Sequence, residues 1–402
     1  MAFKGWNAVR NPIFLFFLLP FGLLHIAASA ELSLPTESAA PGTSVFLPLI
    51  LAPESNSVSG IQFDLQYDSS AMSIVAFAGE VARSSAKDLY FADLAPNKKR
   101  FLIVGMNQNS IPAGILIRLL VHLNGNTANA LYAMEFSNVI GTGPDGYPVP
   151  VNATDGTVNV EGTLSQRVPL QPAGVLSGGS LLPGPVAPGE VVTLIGSAIG
   201  PPSAQQPAGS PSAMVLGGTS LLFDGTPAPI LFAEPDQVNA VVPYRVSGQD
   251  KTQIQVIRDG EEIASSTVPV AASAPAIFTI NSNGFGAGAI LNQDSTVNSP
   301  ANPAARDSIV VIFATGAGIT DPPSADGQLA GTPLPKPVLR VSVRIGGSDA
   351  EIQYAGAAPG LIAGVLQVNC RVPADVPPGQ AVPVQLSVGE VESPPGVTLA
   401  LQ

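Results

Sequence analysis

Proline and glycine punctuate this chain so densely, at 40 and 41 of 402 residues, that no helical period persists beyond a turn or two. A proline inside a helix removes a hydrogen bond and clashes with the preceding turn, and a glycine gives up the most backbone freedom on folding. Long helices are thereby excluded, and short strands joined by turns remain. The chain is still able to fold, because 46% of it is hydrophobic, enough to fill sizeable cores. Only 11% is charged and the net charge is −12, which offers no footprint for a phosphate backbone or an anionic membrane. We expect no nucleic-acid partner.

Lys4 and Arg10 precede an apolar run from Ile13 to Ile26, and Ala28-Ser29-Ala30 supplies small residues at cleavage spacing. This order is that of a secretory signal peptide over residues 1–30, cut after Ala30. The apolar run is short and broken by Pro20, so it is a poor membrane span, and no second stretch approaches the length of one. The expected location is secreted, extracellular or at the cell surface, with the periplasm open. Beyond residue 30 only one histidine, His122, and one cysteine, Cys370, remain. An intramolecular disulfide and a Cys/His zinc cluster are both excluded.

From Glu31 to Glu161 the pattern is many short strands. The clearest alternates strictly, with Ile61, Phe63, Leu65 and Tyr67 on one side and Gln62, Asp64 and Gln66 on the other. Further strands are expected over residues 45–51, 73–77, 101–104, 114–123, 132–136 and 156–160. Residues 163–173 read as a linker. Beyond it the chain repeats itself. Residues 190–202 parallel 308–318, and 223–233 parallel 345–355. Gln237-Val238-Asn239 with Val242-Pro243 returns as Gln367-Val368-Asn369 with Val372-Pro373. Two copies, over 174–272 and 273–402, fit two immunoglobulin-like sandwiches. Equivalent strands should then carry Val238 and Val368, and likewise Phe223 and Ile345.

Residues 31–162 resemble a cohesin domain. The likeness rests on Leu47-Pro48-Leu49, Gly60 to Asp68 (GIQFDLQYD), Met72 to Val81, Gly114 to Leu123 and the closing Asp155 to Val160 (DGTVNV). It implies a jelly-roll sandwich that holds a dockerin-like protein partner outside the cell. Cohesins that bind dockerins carry an outward Asn and Asp two residues apart where this chain has Gly60 and Gln62, and an acid where it has Asn107 or Gln108. The charge-assisted hydrogen bonds of those acids are absent here. Residues 174–402 resemble an uncharacterised C-terminal domain family of acidobacterial secreted proteins. The resemblance rests on segments such as Gly288 to Ala304 and Val343 to Gly360, and it implies no activity.

The candidate partner-binding residues are Gln62, Asp64, Gln66 and Asn107, the first three as one exposed row. Other residues are weighed against plainer roles. His122 alternates with apolar neighbours and is expected to face solvent, without a nucleophile or carboxylate to make a triad. Cys370 stands where the first repeat has Ala240, which suggests a buried, inert thiol. The acid pairs Glu234/Asp236 and Asp321/Asp326 sit in turns, where solvation is their ordinary state. Asn292, Asp294, Asn298 and Asn302 offer oxygens to a calcium ion but lack carboxylate density. Lys98-Lys99-Arg100 is a basic hairpin tip, either solvated or a contact for an acidic partner or glycan. Sugar binding would have to rely on Tyr90, Tyr147, Tyr244 and Tyr354, since no tryptophan follows residue 30. The expectation is an all-β, non-enzymatic protein without cofactor or metal. It comprises a cohesin-like jelly-roll sandwich followed by two immunoglobulin-like β-sandwiches, and it binds an extracellular protein. The alternative is a carbohydrate-binding accessory of polysaccharide breakdown.

Overall fold

A computed structural model describes residues 29–54, 56–162, 170 and 174–402. The leader expected over 1–30 and the linker over 163–173 lie outside the described residues, save Ser29, Ala30 and Leu170. Ala30 is buried and opens the first strand, paired with Val151.

The N-terminal unit is a sandwich. Its elements are β1 (Ala30–Ser33), β2 (Thr36–Ala39), β3 (Ser44–Ala52), β4 (Gly60–Gln66), β5 (Met72–Ala78) and α1 (Glu80–Ser84). There follow β6 (Asp88–Ala95), β7 (Lys98–Val104), β8 (Gly114–Leu123), β9 (Ala130–Thr142), β10 (Pro148–Val149), β11 (Val151–Thr154) and β12 (Gly156–Val160). One sheet runs β11-β1-β3-β8-β5; the other runs β2-β12-β9-β4-β7-β6, with β10 joined to β9. The alternation of β4 does what its sequence demands. Ile61, Phe63 and Leu65, at 2%, 0% and 0% exposure, enter the core with Phe101, Ile117 and Met134. Phe63 stacks on Phe101 at 5.1 Å and meets Phe136 edge-on at 5.4 Å. Each such ring removes about 1.5–3 kcal/mol worth of apolar surface from water.

The C-terminal half is built twice. In the first copy β13 (Val175–Ser177), β14 (Val191–Ile195), β17 (Ile230–Glu234) and β18 (Gln237–Val241) form one sheet. The other contains β15 (Thr219–Phe223), β16 (Thr226–Pro227), β19 (Lys251–Arg258) and β20 (Glu261–Pro269). In the second copy strand Leu366–Arg371 stands for β18, because Val368 pairs with Ile312 and Ala355 as Val238 pairs with Leu194 and Ala233. Strand Val341–Ile345 stands for β15, with Ile345 opposite Val384 as Phe223 is opposite Ile254. All four marker residues are buried, at 0–1% exposure. A side-chain hydrogen bond is duplicated as well: Gln237 Nε2 donates to Asn239 Oδ1 and Gln367 Nε2 to Asn369 Oδ1, each at 2.9 Å. One difference follows from proline. Strand Ser348–Ala357 is continuous and joins both halves of its sandwich into a ten-stranded sheet. Pro227 and Pro229 divide the same stretch of the first copy into β16 and β17.

The three units touch at one buried side chain. Arg83 of α1 is 1% exposed; its Nε donates to Ala78 O at 2.8 Å, and its Nη1 to Ser180 O of the first copy and to Gly284 O of the second. Its guanidinium lies 5.5 Å from the ring centre of Phe285, which itself packs into the core of the N-terminal sandwich. Gly284 has φ +79°, and a Cβ there would stand 2.0 Å from Ser180 O, so only glycine fits. The two copies meet through Val191, Val241 and Ile362, and Thr315 Oγ1 accepts from Val191 N while donating to Gly364 O.

Candidate functional site

The register of β6, β7, β4 and β9 lays three cross-strand rows on the outer face of one sheet. The first is Tyr90, Leu102, Gln62 and Ile140; the second Ala92, Arg100, Asp64 and Ser137; the third Ala95, Lys98, Gln66 and Glu135. Residues directly opposite on paired strands share a face, so the inward burial of Ile61, Phe63 and Leu65 turns all three rows outward. Tyr90 and Ile140 are 55% and 52% exposed, so the first row is an apolar strip interrupted by Gln62.

The expected exposed row of Gln62, Asp64 and Gln66 is corrected at its centre. Gln66 is exposed and Gln62 half-buried, but Asp64 is 1% exposed. Arg100 grips it bidentately, Nε to Oδ1 at 2.6 Å and Nη2 to Oδ2 at 3.1 Å, while Asn138 Nδ2 donates to Oδ2 at 2.7 Å. Lys98 Nζ stands 3.6 Å from Oδ2. These long side chains roof the carboxylate over. The Arg100 hydrogen bond, aided by Asn138 and Lys98, holds its pKa below the ordinary 3.8 against the opposing effect of burial. Asp64 thus organises the face without presenting itself. The basic hairpin tip is explained by the same contacts, with Lys99 paired to Asp93 and Arg100 to Asp64.

Asn107 is also turned inward. Its Oδ1 accepts from Lys87 Nζ at 2.7 Å and its Nδ2 donates to Ala86 O at 2.8 Å. With Gln62 it lines a concavity of about 380 Å³ at one end of the face, whereas Gln66 lines another at the opposite end. Asn107 and Gln62 are therefore brought together, and Gln66 is not. Lys87, fully buried beneath Asn107, carried no sign in a sequence read strand by strand, and burial lowers its pKa. The apolar row was equally hidden, because Tyr90, Leu102 and Ile140 come from three separate strands.

The remaining candidates have structural work. His122 is half-buried rather than solvent-facing, with Ser44 Oγ 3.2 Å from Nδ1 and Ser197 Oγ of the first copy 3.3 Å from Nε2. Burial lowers its pKa, against a smaller opposing pull from Asp236. It faces solvent poorly because the first copy packs against its strand. Cys370 is buried opposite Val310, as Ala240 is opposite Val192, and burial pushes its thiol up to about 12. Asp236 accepts from Ala198 N, and Asp326 from Tyr244 N across the two copies. In the asparagine-rich loop Asn298 Nδ2 donates to Asn292 Oδ1, and Asn298 Oδ1 accepts from Ala400 N. Those oxygens tie the loop to the C-terminal strand. No group of three or more His, Cys, Asp or Glu placed to hold a metal occurs among the described residues.

A family model covers the N-terminal sandwich. Residues 30–160 match the family model of the cohesin domain. The solution structure of CaCohA2 from Clostridium acetobutylicum shares 20% identity, covering 33% of this chain and 92% of that one, with a TM-score of 0.31. The sixth cohesin of Acetivibrio cellulolyticus scaffoldin B, solved with a Cel5 dockerin mutant, shares 20% over 33% of this chain and all of that one (100%), with a TM-score of 0.31. A non-cellulosomal cohesin from the archaeon Archaeoglobus fulgidus shares 15% over 34% and 93%, with a TM-score of 0.30. A comparison with curated proteins gave no match. The family match ends at residue 160. Among the described residues no helix is long and apolar enough to cross a membrane.

Proposed function

We propose that this chain is a secreted, non-enzymatic interaction protein whose cohesin-like module binds a protein partner through the outer face of β9-β4-β7-β6. The observation that carries this reading is the contrast between this face and the rest of the module. The ends bearing Arg83 and His122 are packed against the two repeats, while the row Tyr90, Leu102, Gln62 and Ile140 lies open among the described residues. Apolar side chains beside a fixed ionic cluster make a surface with both contact area and orientation. The two repeats, over 174–272 and 273–402, act in this reading as a rigid support.

Gln62, Gln66 and Asn107 belong to the docking face, and Asp64 acts through Arg100 and Lys98. Charge reversal at Asp64 is a poor test, since it would strip the roof of its anchor and disturb folding. The clean experiment uses the full chain as bait for secreted proteins of its source, because Phe285 and Arg83 join the module to the repeats. Ile140→Asp and Tyr90→Asp should each weaken capture by about 2 kcal/mol or more, the usual scale for a central aromatic or apolar anchor. Val75→Asp, on an exposed position of the opposite sheet, should leave capture unchanged. Equal capture by all three variants would overturn the docking face, and retention on a glycan array lost with Tyr90→Asp would favour the carbohydrate alternative.

A further inference from the structure

The concavity at the Gln62 end of the face is lined by Ser59, Gly60, Gln62, Leu102, Asn107 and Ile140, among others. Behind it lies Lys87, at 0% exposure. Its ammonium donates to Ser59 Oγ at 3.0 Å, Asn107 O at 3.1 Å and Asn107 Oδ1 at 2.7 Å. Three neutral acceptors use its three donors, and no carboxylate among the described residues pairs with it. A buried cation without a counter-charge is costly to fold, so its charge remains available to a partner. The neighbouring cations of the face are already committed: Arg100 and Lys98 to Asp64, Lys99 to Asp93.

The route from this charge to the surface is Ser59. Its oxygen accepts from Lys87, so its own hydrogen points elsewhere, and no acceptor for it occurs among the described residues. Ser59 lines the concavity, and its hydroxyl is polarised by the ammonium behind it. The cradle depends on Gly105, where a Cβ would stand 2.4 Å from Ala86 O and 2.9 Å from Asn107 Nδ2. Asp145, between the lining residues Pro144 and Gly146, is turned into its own loop and accepts from Tyr147 N at 3.1 Å.

We infer that this concavity receives a carboxylate, the glutamate or aspartate side chain of the partner protein, through the Ser59 hydroxyl with the Lys87 ammonium behind it. The inference rests on the docking face proposed above and adds the charge of the group that enters it. It also accounts for Gln62 and Asn107 standing where acids would repel such a group.

The test titrates the full chain, isotopically labelled at lysine and serine, with capped Ala-Glu-Ala and capped Ala-Gln-Ala, following NMR shifts. The Lys87 and Ser59 signals should move with the glutamate peptide, and the glutamine peptide should bind about tenfold more weakly, one charge-assisted hydrogen bond being worth at least that. Lys87→Met should abolish the preference. Ser59→Ala should do the same with the cation in place, which keeps the test valid if Lys87→Met fails to fold. An equal response to both peptides, no response, or a preference surviving Ser59→Ala would overturn the assignment. Should that happen while Ile140→Asp still releases a captured partner, the docking face stands and only its carboxylate pocket falls.

Discussion

The cohesin-like module and the tandem repeats treat buried charge in opposite ways. The module encloses Asp64, Arg83 and Lys87 at 0–1% exposure, each with a different solution: a carboxylate roofed by cations, a guanidinium spanning three units, an ammonium held by neutral oxygens. Among the described residues the repeats bury one carboxylic side chain, Glu190, where the second copy has Ser308. Burial raises the Glu190 pKa to about 8, against the opposing help of the Ala187 amide, so it sits neutral near pH 7. The repeats keep their interiors uncharged. Charge is retained inside the module, where it can orient a surface or fix a joint.

Arg83 sharpens the contrast most. Arg83→Ala would leave Ser180 O and Gly284 O without their donor and Phe285 without its cation, costing about 3 kcal/mol or more for hydrogen bonds to a charged group. Calorimetry should then show the module unfolding apart from the repeats. A one-step transition at the wild-type temperature would show that the joint does not depend on this side chain.

Glu190 tests the other side. Its folded pKa of about 8 exceeds the ordinary 4.5, so between those values the folded chain holds a proton that the unfolded chain has released. Stability should therefore fall as pH rises from about 4.5 to about 8 and level off above it. Urea midpoints across that range should lose this slope in Glu190→Gln, and an unchanged slope would mean the group is not buried neutral.

The smallest effect belongs to Cys370. Cys370→Ala reproduces what the first copy has at Ala240, and it should cost about 1 kcal/mol for the small void. In the wild type the thiol should resist an aromatic disulfide reagent until the chain unfolds. Rapid labelling of the folded protein would break the equivalence of the two cores.

Much of this was legible in the residues. The alternation from Ile61 to Tyr67 placed a strand and chose its inner face, and β8 and β12 fall on the expected residues 114–123 and 156–160. The duplicated Gln-Val-Asn segments marked equivalent strands because period-2 geometry carries burial with it. The helix α1 and the edge strand β6 were not visible. The helix is one turn long, and β6 leaves most of its residues exposed, so neither makes a periodic signal.

The sequence by itself determined an all-β chain, its internal duplication, the cohesin-like pattern and the apolar side of each regular strand, since those depend on residues a few positions apart. Only the tertiary structure decided the fate of the polar residues. Asp64 meets Arg100 across 36 positions and Asn138 across 74, and Arg83 meets Gly284 across 201. Whether a carboxylate or an ammonium is exposed depends on what distant strands lay over it, and solvation, unlike alternation, is not a local property of the chain.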